Sequence, residues 1–184
     1  TSSMFGNKGY GFKVNITNTF AMFGDLLHHS YIFESIGNAV MISAVIIGVL
    51  LILFGKFNSN WKLYAIISLF LVMVPGFSYV YSIAYMLIPL VAFLNEKKTR
   101  KSDYIYLLLF ILQFGLFIAK KDELFSQFEG SELALNITTL IESVVLLLMM
   151  AMLYLDGIIT TFKSYKGKKI LHIPTKAVAS VAMA

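Results

Sequence analysis

Residues 63–94 read LYAIISLFLVMVPGFSYVYSIAYMLIPLVAFL, thirty-two consecutive positions without a charged side chain. As a single α-helix the stretch would run about 48 Å at 1.5 Å per residue. The hydrocarbon core of a bilayer is about 30 Å thick and takes about 20 residues of helix. The run therefore overshoots one crossing and falls short of two comfortable ones. Its centre is Val74-Pro75-Gly76-Phe77-Ser78. Proline removes a backbone donor and clashes with the preceding turn, and Pro followed by Gly signals a turn. The reading is two short spans, 61–74 and 79–94, joined by a hairpin, with Pro89 kinking the second.

Three further apolar runs flank this hairpin. Residues 36–55 carry no charge, residues 104–119 are bounded by Asp103 and Lys120, and residues 137–157 include Glu142 and Asp156. The expected fold is thus all-α and polytopic, with five transmembrane helices at 36–55, 61–74, 79–94, 104–119 and 137–157. Composition agrees: 58% of the 184 residues are hydrophobic, 14% are charged, and the mean hydropathy is +0.78. Soluble domains are usually about 45–50% apolar and about 25% charged. A water-soluble fold of this size would have no way to hide so much apolar surface.

The basic residues orient the chain, because cytoplasmic loops collect Lys and Arg. Five spans with the N-terminus outside put eleven on the inner side: Lys56, Lys62, Lys97, Lys98, Arg100, Lys101, Lys163, Lys166, Lys168, Lys169 and Lys176. Only Lys8, Lys13, Lys120 and Lys121 fall outside. A four-span layout separates Lys56 and Lys62 from the 97–101 cluster, so five spans are preferred. Three regions follow: an extracytoplasmic segment (1–35), a transmembrane region (36–162) and a basic cytoplasmic tail (163–184). The net charge of +5 is topological in this reading, and nucleic acid is not an expected partner. Membrane lipids are. The basic loops would attract anionic headgroups. The chain starts at Thr1 without a signal-peptide layout and reads as the C-terminal part of a larger protein.

The outer segment holds most of the candidate chemistry. Phe12, Ile16, Phe20, Phe23 and Leu27 recur at helical spacing, which predicts an amphipathic helix along the outer membrane face. Asp25 and His29 stand four apart and would share a helix face as base and orienter, with His28 beside them. A polar surface above the bilayer explains the same residues. Two His without a third ligand make no metal centre, and no metal is expected. Tyr79, Tyr81 and Tyr85 could stack on a sugar or simply anchor at the interface. Glu142 lies within an apolar span, a costly place for a carboxylate. From there it could reach the interface or pair with Lys120 or Lys121. Asp156 is expected to pair with Lys163 or its neighbours. Asn15-Ile16-Thr17 and Asn136-Ile137-Thr138 fit the glycosylation acceptor pattern. Cys is absent, which excludes disulfides and thiol nucleophiles. No phosphate-binding glycine loop, Ser/His/Asp arrangement or HExxH occurs, and no cofactor is expected.

The layout resembles the C-terminal half of polyprenyl-phosphate-dependent membrane glycosyltransferases of the GT-C fold, in particular glycosyltransferase family 87. The resemblance covers roughly residues 11–101. It rests on Lys13-Val14-Asn15-Ile16-Thr17-Asn18-Thr19 before a long span, on the hairpin Pro75-Gly76-Phe77-Ser78-Tyr79-Val80-Tyr81, and on Pro89. Tyr79, Val80 and Tyr81 stand where the family often has Trp and His. What it implies is a membrane region, in the plasma membrane of a bacterium, of an enzyme that builds cell-envelope polysaccharide. The enzyme would move a sugar from a lipid-linked phosphate donor to an acceptor at the outer face. Lys13, Asn15, Asn18, Tyr79 and Tyr81 would be the substrate-binding candidates. The resemblance places the catalytic carboxylate in a first outer loop upstream of this fragment. A transporter or channel subunit, and a non-catalytic polysaccharide assembly or export component, are the rival readings.

Overall fold

The computed structural model describes residues 13–76, 80–96, 101–125 and 131–169. Every regular element among them is helical: α1 (Ile16–Leu26), α2 (Ser30–Phe54), α3 (Asn60–Met73), α4 (Leu87–Leu94), α5 (Tyr104–Phe125) and α6 (Ser131–Lys169). Asn15 caps α1, its side-chain oxygen accepting from the Asn18 N–H at 2.8 Å, which satisfies one of the orphan donors at a helix start. The end of α1 is equally local. The His29 N–H donates to the Gly24 carbonyl and the His28 N–H to that of Asp25, with His28 in the left-handed region at φ 58°. Those two bonds and the left-handed residue make a Schellman cap.

That cap reverses the chain so that α1 packs back on α2. A Cβ on Gly37 would lie 2.8 Å from Cβ of Phe20, and one on Gly24 would lie 2.8 Å from Cα of Ser30. The absence of side chains at these two positions is what lets the helices approach so closely, as small residues do between membrane helices. The amphipathic stripe expected of α1 is only partly realised. Ile16 is buried, but so are Asn18, Thr19 and Met22, while Leu27 is exposed. The reason is that α1 packs against α2 and α6 instead of lying free on a surface.

The hairpin forms where Pro75 demands it. α3 stops at Met73, Val74 caps it, and the chain returns as a 3-10 segment, Val80–Met86, that runs into α4. Pro89 therefore does not kink a long helix. It sits in the first turn of α4, where a missing N–H is harmless. Span limits shift elsewhere too. α2 begins at Ser30 instead of residue 36, α5 continues past 119, and α6 runs through both of its polar ends. The core lies between α3, α5 and α6, where Trp61, Leu69, Phe110, Leu146, Met149 and Leu153 are fully buried.

Among the described residues two helices are long and apolar enough to cross a membrane, α2 and the Ile137–Lys166 part of α6, fewer than the five spans expected. α3, residues 82–94 and residues 104–116 are apolar but shorter. Only 22% of the most apolar window of α2 and 33% of that of α6 are buried. The core helix of a soluble protein would be mostly buried. Here Leu53 and Phe54 are 66% and 61% exposed, so these helices present their apolar surface outward.

Candidate functional site

Long-range contacts define two ends of the bundle. At one end the Asn15 amide donates to the Gly76 carbonyl at 3.3 Å, tying the start of α1 to the hairpin. At the other the Lys56 N–H donates to Thr161 Oγ1 at 2.9 Å, and Lys62 meets Asp103 and Asp156.

The Asn15 end holds a polar cavity of about 310 Å3. Lys13, Asn15, Thr17 and Asn18 form one wall, Glu34 and Asn38 of α2 another, and Gly76 closes it. Three expected substrate-binding candidates, Lys13, Asn15 and Asn18, are thus brought together. Two of them build the wall through their own bonding. Asn15 accepts from the Asn18 N–H and from Thr17 Oγ1, and the Asn18 amide donates to the Lys13 carbonyl at 2.7 Å. Asn15 is 1% exposed, so its place in an Asn-Ile-Thr pattern does not make it a glycosylation acceptor. Asn136 lies where side chains are not described. Glu34 and Asn38 are the residues that sequence reasoning missed as cavity wall. They stand four apart on one face of α2, a signal hidden when the span is started at residue 36.

Asp25, His28 and His29 do not form the expected pair. α1 ends at Leu26 and the chain turns at Leu27 and His28, so Asp25 and His29 no longer share a helix face. Ser30 Oγ donates instead to Asp25 Oδ1 at 2.7 Å, which fastens the turn between α1 and α2. Tyr79 lies outside the described residues, and the side chain of Tyr81 is likewise not described. Among the described residues no three His, Asp or Glu side chains gather to hold a metal.

A second cavity, of about 870 Å3, runs along the opposite side of the α1–α2 contact. Ile36, Val40 and Ile47 of α2 face Leu147, Ala151 and Ile158 of α6 across it, and Ile16 and Phe20 of α1 close one end. Its two hydroxyls are already satisfied. Ser43 Oγ donates to the Ala39 carbonyl and the Tyr154 hydroxyl to that of Ala44. Such a cleft offers nothing to water and suits an apolar chain.

The opposite end carries an ion triad. Lys62 Nζ lies 2.8 Å from Asp103 Oδ1 and 2.8 Å from Asp156 Oδ2, with the Lys62 side chain 2% exposed. Its ammonium also lies 5.4 Å from the Trp61 ring and 5.6 Å from that of Tyr106, within cation–π range. Asp156 therefore pairs with Lys62 and not with the expected Lys163. The expectation failed because it looked along α6 for a partner, while α3 supplies one from ninety-four positions away. Glu142 is also relocated. It is fully buried and accepts from the Gln113 amide at 3.2 Å, so it does not reach the interface. The side chains of Lys120 and Lys121 are not described. Beside it Gln113 Oε1 and Ser143 Oγ are buried without a partner among the described residues.

Comparison of the chain with protein-family models, with curated proteins and with solved structures returned no match.

Proposed function

We propose that the chain is the substrate-binding membrane region of a glycosyltransferase that takes a sugar from a polyprenyl-phosphate donor at the outer membrane face. The observation that carries this is a pairing of environments on one helix. α1 lines a polar cavity with Asn15, Thr17 and Asn18, and closes an apolar cleft with Ile16 and Phe20. A lipid-linked sugar has both needs: a hydroxyl-rich end to be hydrogen-bonded and a hydrocarbon chain to be kept dry. The cleft lies between the two helices of membrane-spanning length, so its open side meets lipid. In purified chain reconstituted in nanodiscs, a polyprenyl-phosphate sugar is expected to bind saturably. Ala151→Trp, which fills the cleft, is expected to weaken that binding about tenfold, a loss of about 1.4 kcal/mol. Absence of saturable binding, or an unchanged constant in the variant, removes the reading.

The topology belongs to the same proposal. Five spans place the polar cavity outside and the triad at the cytoplasmic boundary, with Lys56, Lys101, Lys163 and Lys166 on the inner side. The pairing of 15 with 76 at one end, and of 62 with 103 and 156 at the other, supports an up-and-down order. α3, at 14 residues, would reach about 21 Å and would require local thinning of the bilayer. Because the chain has no cysteine, single cysteines at positions 35 and 164 can be labelled selectively. They are expected to react from opposite compartments. Labelling from one side sinks the topology and the assignment of the outer face.

A transport function is the second reading, and one observation favours it. Lys62, Asp103 and Glu142 are each nearly or fully buried, and buried ionisable groups within membrane helices often mark ion pathways. Substrate-dependent flux through the reconstituted chain would promote it over the transferase.

A further inference from the structure

The polar cavity offers two charges of opposite sign that are held apart. Asn15 and Asn18 are engaged in capping and in the bond to Gly76. Lys13 and Glu34 line the same space of about 310 Å3, yet among the described residues neither forms an ion pair with the other or with any neighbour. Asn38 stands one helical turn beyond Glu34 on the same wall, and its amide can both donate and accept.

Each simpler ligand leaves one of these groups badly placed. A bare phosphate would bond to the Lys13 ammonium but bring like charge toward Glu34. A neutral sugar would meet both charges with ordinary hydrogen bonds only and would gain none of the extra strength of charge-assisted pairing. A ligand with an anion at one pole and an ammonium at the other satisfies both through charge-assisted hydrogen bonds. We infer that the cavity takes a zwitterionic headgroup, a phosphate joined through a short hydroxylated carbon skeleton to a primary ammonium. Lys13 holds the phosphate, Glu34 the ammonium, and Asn38 a neighbouring hydroxyl of the skeleton. Assigning that headgroup to an amino sugar rests on the glycosyltransferase reading. A phosphoethanolamine lipid headgroup has the same two poles.

The test uses the purified chain in phosphatidylglycerol nanodiscs, titrated with glucosamine 1-phosphate, glucose 1-phosphate and phosphoethanolamine. Glucosamine 1-phosphate is expected to bind about threefold more tightly than glucose 1-phosphate, the increment of one solvent-exposed ion pair. Glu34→Gln keeps the shape of an exposed side chain. It should erase that preference by weakening glucosamine 1-phosphate and, with the like charge gone, should leave glucose 1-phosphate bound at least as tightly as before, with helix content checked by circular dichroism. Lys13→Gln should weaken both sugar phosphates. Equal affinity for the two in the unaltered chain, or a preference that survives Glu34→Gln, overturns the zwitterionic pocket and spares the sugar reading. Binding of phosphoethanolamine with rejection of glucosamine 1-phosphate upholds the pocket and overturns the sugar reading. Failure of all three probes to bind overturns both.

Discussion

Replacing Lys62 with methionine is expected to destabilise the fold by about 3–5 kcal/mol, the range for breaking a buried ion pair from one side. The variant keeps the length and apolar stem of the side chain but removes the ammonium that stands 2.8 Å from both Asp103 and Asp156. Two carboxylates then face each other without the cation between them, one of them with a side chain only 1% exposed. The geometry also predicts a rescue. Lys62→Met combined with Asp103→Asn and Asp156→Asn removes all three charges, and neutral replacement of a buried ionic cluster is often near break-even. Unfolding in mixed micelles, followed by tryptophan fluorescence at the single Trp61, measures both. A single variant as stable as the parent, or a triple variant no better than the single, would show that the cluster does not hold α3, α5 and α6 together.

Trp61→Ala is the second large effect, about 3–5 kcal/mol for removing a large aromatic from a packed core. The ring is fully buried and meets Phe93 at 5.0 Å, Tyr106 at 5.2 Å and Phe110 at 6.4 Å, all in edge-on geometry. The loss is mainly of packing contacts around a fully enclosed ring. Trp61→Phe should cost far less, about 1–1.5 kcal/mol as for a modest change of shape in a core. The indole N–H has no hydrogen-bond partner among the described residues, so no bond is lost with it. The read-out is circular dichroism during thermal unfolding, since Ala and Phe variants have no tryptophan. Equal losses in the two variants would mean that the N–H, and not the ring, matters.

Both predictions centre on neighbouring residues at the start of α3, and the sequence had treated them differently. Trp61 was placed at the edge of a span and Lys62 in a basic loop. Charge counting needed only the side of the membrane for Lys62. The pairing itself was invisible, because Lys62 finds Asp103 forty-one positions away and Asp156 ninety-four positions away. No periodicity along one chain segment encodes such a contact. The same holds for Gln113 and Glu142, twenty-nine positions apart.

The candidate cavity was half legible. Lys13, Asn15 and Asn18 were singled out as a polar group ahead of a long span, and they do converge. The supposed Asp25–His29 pair dissolved because a helix stop at Leu26 cannot be read from spacing alone. His28 is not a glycine, yet it takes the left-handed conformation of the cap. Glu34 and Asn38 entered the cavity only because α2 starts six residues earlier than its charge-free run. Glu34 and Ser35 interrupt the apolar pattern, so hydropathy does not join Tyr31-Ile32-Phe33 to the run that follows.

The sequence by itself determined that the chain is helical and oily, that Pro75 and Gly76 break the longest apolar run, and roughly where each helix lies. These follow from local physics: the backbone donor that proline lacks, the length of a helix, and the cost of burying charge in lipid. Only the tertiary structure decided which charges neutralise one another, which asparagines are structural and which line open space, and that a polar cavity and an apolar cleft share α1. Those depend on how helices approach in space, through close contacts such as Gly37 against Phe20, and distance along the chain is silent about them.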